Sequence, residues 1–154
     1  MADRSDLLRV VAEWHWNEWG DVDPAVSLRS WTIRLADNTN HDRTPTSYVA
    51  IVKGDPVGSV VLVDHDMPDR QDLARLSPWL AGLFVLPGYR RAGIGSRLIK
   101  HAEAEATRFG ANQLNAYTST ASDLYKRLGW EAILEIEYEG SDVTVFFKPL
   151  DAKH

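Results

Sequence analysis

The 154-residue chain sets 17 Lys and Arg against 22 Asp and Glu, a formal net charge of −5, with 44% hydrophobic and 25% charged residues. It has the size of one ordinary domain, residues 1–154, and the composition of a soluble globular protein able to bury a core without metal or disulfide staples. No run approaches the roughly 20 apolar residues of a membrane span, the acidic balance argues against a nucleic-acid partner, and the lack of cysteine removes disulfides, thiolate metal sites and a cysteine nucleophile.

The charged start Met1-Ala2-Asp3-Arg4-Ser5-Asp6 has no apolar core of a secretion signal, so the cytoplasm is the expected compartment. From about Asp6 to Trp19 a helix is expected, with apolar Leu7, Leu8, Val10, Val11 and Trp14, a cluster Trp14, Trp16 and Trp19, and Gly20 as its stop. Asp23-Pro24 reads as an N-cap and a first-turn proline that open a second helix towards Leu35. A polar loop spans Asp37 to Pro45. Tyr48–Val52 and Val57–Val63 then flank the turn residues Gly54-Asp55-Pro56 as a β-hairpin. An acidic loop with Asp64, His65, Asp66, Asp69 and Asp72 leads to a third strand, Trp79–Val85, whose Gly82 suggests a bulge. After Pro87-Gly88 comes a glycine loop and a helix from about Ile94 to Phe109, with Ile94, Leu98, Ile99, Ala102, Ala106 and Phe109 on one face and Gly110 closing it. Leu114–Tyr117 is a short strand, Ser119 or Thr120 caps a helix Ala121–Leu128, and Gly129 ends it. In the last hairpin Ala132, Leu134, Ile136 and Tyr138 alternate with Glu131, Glu135, Glu137 and Glu139, then Val143, Val145 and Phe147 follow the turn Gly140-Ser141-Asp142. The order α-α-β-β-β-α-β-α-β-β is that of a mixed sheet with helices packed on it, an α/β or α+β layered domain.

The segment with most chemistry is Arg90-Arg91-Ala92-Gly93-Ile94-Gly95-Ser96, between a strand and an amphipathic helix. Glycines at a helix mouth let backbone N–H groups converge on one spot, and the helix dipole favours an anion there by about 0.3–1 kcal/mol. A phosphate suits that spot, with Arg90, Arg91 and Arg97 nearby. The nucleotide-hydrolase loop, with its Lys-Ser or Lys-Thr, is absent, and Leu98 stands where the dinucleotide fingerprint needs a third glycine. A plain tight turn would use the same glycines. His15, His41, His65, His101 and His154 show no zinc-ligand spacing, so no metal is expected.

The run Leu83 to Ile99 resembles the cofactor-binding segment of the GNAT N-acetyltransferase superfamily, whose signature is Arg or Gln, two residues, Gly, one residue, then Gly or Ala. Leu124-Tyr125-Lys126-Arg127-Leu128-Gly129-Trp130 is similar to the family's tyrosine-bearing helix and its glycine–aromatic exit. Val145–Leu150 is similar to its last strand, and Ala12-Glu13-Trp14-His15-Trp16-Asn17-Glu18-Trp19 with Leu76–Ala81 resembles one bacterial branch. The resemblance implies a central mixed, mostly antiparallel sheet, flanked by about four helices, in which two parallel strands splay in a V. It also implies acetyl-CoA as co-substrate. The backbone of Leu83, Phe84 and Val85 would pair with the pantetheine arm, and Arg90, Arg91, Ala92, Gly93, Ile94, Gly95 and Ser96 would hold the pyrophosphate. Relatives often place Asn before the tyrosine; here Thr118-Ser119-Thr120 stands there, and Ser119 or Thr120 would substitute in the pantetheine contact, although helix capping accounts for them equally well.

In acyl transfer, Tyr125 would then be the general acid that protonates the departing thiolate, since a phenol with pKa near 10 keeps its proton at neutral pH. A tyrosine simply packed between helix and sheet is the plainer alternative. For the base, Trp79–Val85 and Leu114–Tyr117 offer no ionisable group, leaving Asp64, His65 and above all Asp66 as candidates, with Glu13 and Glu18 more remote. The expected activity is transfer of an acetyl group to a primary amine of a small molecule or peptide in a ternary complex; the alternative is a non-catalytic acyl-CoA sensor. The tryptophans of the first helix and the final hairpin are surfaces on which a homodimer could form.

Overall fold

The structure, a computed structural model, describes residues 10–14, 46–65, 70–73, 76–90, 92–138 and 140–150. The expected helix from Asp23 to Leu35 and the loop 37–45 lie outside the described residues, as do Trp16, Glu18, Trp19, Asp66 and Arg91. Residues 10–14 are helical (α1). Then follow β1 (Thr46–Val52), β2 (Asp55–Val63), a 3-10 turn (Gln71–Leu73), β3 (Trp79–Val85), a second 3-10 turn (Pro87–Tyr89), α2 (Ile94–Arg108), β4 (Gln113–Thr118), α3 (Ser122–Arg127), β5 (Glu131–Tyr138) and β6 (Ser141–Pro149).

The six strands form one mixed sheet in the order β1-β2-β3-β4-β6-β5. Every neighbouring pair is antiparallel except β3 and β4. Alternation along β2 assigns the two faces. Val60 and Leu62 pack with Leu98, Ile99, Ala102 and Ala106 of α2, whereas Val61 packs on Val11 and Ala12 of α1 on the other side. Each large apolar side chain so buried contributes about 1.5–3 kcal/mol. The α2 face is the one its 3.6-residue spacing predicts, and Gly110, at φ 94°, follows its C-cap Phe109.

Three features differ from the sequence reading. The first hairpin turns at Lys53 (φ 52°) and Gly54 (φ 86°), with Val52 facing Asp55, so Asp55 and Pro56 already belong to β2. Two positive-φ residues are what a two-residue turn needs to match the strand twist. Secondly, β5 is interrupted by a register shift between Ala132 and Leu134, which leaves Ala132 and Ile133 exposed while Leu134, Ile136 and Tyr138 face inward as expected. Thirdly, β6 lies between β4 and β5 and is covered on both faces: Phe146 joins the α2 side and Val143 and Val145 the other. A strand buried on both faces loses the clean alternation that marks a half-exposed one.

Candidate active site

β3 and β4 run parallel but share one register pair, Trp79 with Asn115. There Asn115 donates its backbone N–H to Pro78 O at 3.1 Å. From that vertex to Val85 and Thr118 the two strands share no further pair, so a wedge opens along the C-terminal half of β3. An unpaired strand edge offers backbone donors and acceptors to an extended ligand.

Gly82 shapes that edge. It takes φ 58°, and between the pairs Val61–Ala81 and Ser59–Phe84 the β3 strand carries one residue more than β2. This is the bulge expected from the glycine, with its left-handed residue supplied by the only side chain type that adopts it freely. Leu83 and Val85 pack towards the α2 core. Phe84 turns the other way, stacked on Trp14 of α1 at 5.6 Å between ring centroids. Gly58 lies beneath the bulge: a Cβ there would sit 2.9 Å from Phe84 O and 3.1 Å from Leu98 Cδ1. Gly58→Val therefore displaces β3 and should cost about 1–3 kcal/mol of stability, read from the midpoint of urea unfolding.

Beyond Val85 the chain makes the 3-10 turn of Pro87–Tyr89, passes through Arg90 in an extended conformation, and enters α2 through Gly93 at φ 82°, ψ 5°. Gly93 O accepts from Arg97 N at 3.1 Å, the first intrahelical bond, and no side chain caps the end. The N–H groups of Ile94, Gly95 and Ser96 are thus the first-turn donors that a helix cannot satisfy itself. A Cβ on Gly93 would meet nothing within 4 Å, so this glycine serves its left-handed conformation and not a close approach. A Cβ on Gly95 would lie 3.4 Å from Leu124 Cδ2 and 4.0 Å from Val85 Cγ2, which places the strand end, the helix mouth and α3 together. Arg90 is tied back to the strand: its Nε donates to Val85 O at 2.8 Å, and its guanidinium lies 5.7 Å from the Phe84 ring centroid. Ala92 is exposed in the same loop, and Arg91 lies outside the described residues.

Tyr125 follows Leu124 on α3 and is 2% exposed. Its ring stacks on Phe146 at 5.4 Å and meets Trp130 edge-on at 5.1 Å. The turn before α3 differs from expectation. Thr118 Oγ1, not Ser119 or Thr120, accepts the N–H groups of Thr120 (3.2 Å) and Ala121 (2.9 Å), and Ala121 at the N-cap has no side-chain bond. A hydroxyl three residues ahead of Ala121 is the signal that could have marked Thr118. Ser119 itself is exposed.

Of the base candidates, Asp64 and His65 are exposed just after β2, whose Val63 pairs with Trp79, and Asp66 lies outside the described residues. Asp64 and His65 leave the sheet at the vertex end of β3, about 20 Å along the strand from the glycine loop. Asp72 is held by two bonds from Arg70, at 2.9 and 2.7 Å, and that hydrogen bonding keeps its carboxyl below the usual range, a weaker proton acceptor. Among the described residues no His, Asp or Glu group is assembled as a metal site, and no described helix is long and apolar enough to cross a membrane.

Solved structures share this fold. The coenzyme A complex of an aminoglycoside 6′-N-acetyltransferase superposes with a TM-score of 0.72 at 14% identity, over 93% of this chain and 90% of that one. A GNAT-family acetyltransferase from Streptococcus pneumoniae gives 0.70 at 18% identity, over 98% and 96%. An acetyl-CoA-bound GNAT acetyltransferase from Elizabethkingia anophelis gives 0.54 at 18% identity, over 70% and 77%. No curated protein sequence matches the chain. The sequence profile of the acetyltransferase (GNAT) domain matches residues 43–132, which include the bulged strand, the glycine loop, α2 and α3; the chain belongs to the GNAT family and is an acetyl-CoA-dependent acyltransferase.

Proposed function

We propose that the protein transfers the acetyl group of acetyl-CoA to a primary amine of a small molecule or peptide by direct attack in a ternary complex. The observation that carries this reading is the continuity of the wedge with the helix mouth: the free edge of β3 leads through Val85 to the uncapped amides of Ile94, Gly95 and Ser96. A ligand with an extended arm and a diphosphate head matches that shape. The arm pairs with the backbone of Leu83, Phe84 and Val85, and the head meets the N–H groups from Arg91 to Ser96. Arg90, anchored through Nε, keeps its terminal amino groups for a phosphate oxygen. Ser119, relieved of a capping role, is exposed beside the wedge-lining strand β4 for the pantetheine amides.

The neutral amine attacks the thioester carbonyl, and the oxyanion meets a backbone N–H near the end of β3. As the tetrahedral centre collapses, the carbon–sulfur bond breaks and Tyr125 gives its proton to the thiolate. The amine proton leaves to water or to Asp66, next in sequence to Asp64 and His65, and those two leave the sheet at the vertex end, the direction in which an arm anchored at the loop would present its thioester. If Asp66 is the base, Asp66→Asn removes the acidic limb of the rate–pH profile; an unchanged profile dismisses it. No cysteine is available for an acyl-enzyme, which favours direct transfer. A cytoplasmic setting, from the cysteine-free composition, completes the reading.

A second reading, an acyl-CoA sensor without turnover, draws on the absence of any carboxylate or imidazole on β3 and β4. Thiol release from acetyl-CoA, followed over polyamines, aminoglycosides, amino acids and peptides, separates the two. An acceptor-dependent burst of free thiol is expected; tight acetyl-CoA binding with no acceptor in the panel turned over supports the sensor.

A further inference from the structure

We infer that Asn115 is a positioning residue for the pantetheine arm, its side-chain amide setting how far β3 and β4 open. The inference rests on the wedge being the seat of that arm, as proposed above.

Asn115 is 0% exposed, flanked on β4 by the buried apolar Leu114 and Ala116. Its backbone N–H and its Nδ2 both donate to one acceptor, Pro78 O, at 3.1 and 3.0 Å. The other Nδ2 hydrogen goes to Gln113 Oε1 at 3.0 Å. Because a carbonyl can only accept, the atom facing Pro78 must be the amide nitrogen, which decides the side-chain orientation. Oδ1 is then left with no hydrogen-bond partner among the described residues.

That arrangement is unfavourable for stability alone, since an aliphatic side chain would fill the position without a desolvated, unpaired oxygen. Its mechanical consequence is specific. A single backbone bond holds two strands at a point and lets them swing about it, whereas a second bond, projecting from the side of the ladder, opposes the swing. Asn115 supplies both at the one register pair from which the wedge opens. Over the six residue steps from Trp79 to Val85, about 20 Å, a swing of about 10° moves the strand end by about 3 Å, enough to break pairing with an extended ligand.

The full-length chain carrying Asn115→Leu, or Asn115→Ser with one donor kept, is titrated calorimetrically with acetyl-CoA and, separately, with 3′-phospho-ADP, the part of the ligand that meets only the glycine loop. For Asn115→Leu the expected result is an acetyl-CoA affinity lower by about 10-fold or more, with 3′-phospho-ADP affinity within about 2-fold of wild type and Asn115→Ser intermediate. Wild-type acetyl-CoA affinity in a folded variant overturns the inference, and so does equal loss of both ligands, which is general distortion. Should Asn115→Leu not fold, Asn115→Ser alone decides by the same comparison. A wild-type chain that binds acetyl-CoA but not 3′-phospho-ADP removes the loop assignment instead, and the acetyl-CoA titration still judges Asn115.

Discussion

Gly93→Asp is expected to abolish acetyl-CoA binding in a protein that still folds. At φ 82° any L side chain is strained, but by about 1–2 kcal/mol, and aspartate is among the residues that tolerate this region best. The added Cβ meets no protein atom, because it faces open space. The damage falls on the ligand: a carboxylate about 4 Å from a phosphate oxygen, at an effective dielectric near 20, costs about 4 kcal/mol, or roughly a thousandfold in affinity. Gly93→Asn isolates the charge. It carries the same backbone strain and nearly the same shape, and should lose about 10-fold at most. Calorimetry on the two variants decides the matter: Gly93→Asp binding like Gly93→Asn would remove the diphosphate from the helix mouth.

The second large effect concerns Tyr125→Phe. The ring packs on Phe146 and Trp130, and phenylalanine preserves that packing while deleting the hydroxyl alone. A general acid of this type contributes about 10²–10⁴-fold, so kcat should fall by that factor with acetyl-CoA affinity unchanged. Unchanged turnover would leave Tyr125 as a core residue, a role its 2% exposure already fits. The paired measurement of kcat and binding matters because loss of packing would lower both.

Much of the candidate site's local backbone geometry was legible in the linear chain, for local reasons. Gly93 and Gly95 at the start of an amphipathic stretch define a helix mouth, since the conformations glycine permits and the 3.6-residue apolar spacing of Leu98, Ile99, Ala102 and Ala106 are properties of neighbouring residues. Gly82 marked its own bulge for the same reason. The tie of Arg90 to Val85 O was not legible, because its Nε partner is a backbone carbonyl five residues back across a turn. Thr118 was passed over in favour of Ser119 and Thr120, since any hydroxyl ahead of a short helix is a candidate cap until the backbone path selects one.

By itself the sequence determined the type of the described strands and of α2, the backbone conformation of the glycine loop and the family, all of which depend on residues close together along the chain. Only the tertiary structure decided which strands are neighbours. It placed β6 between β4 and β5, buried Phe146 and Tyr125 against each other, and brought Asn115 to Pro78, 37 residues earlier, at the one point where β3 and β4 meet. The physical reason is that strand pairing and close packing join residues of large sequence separation, whose partners no local pattern specifies.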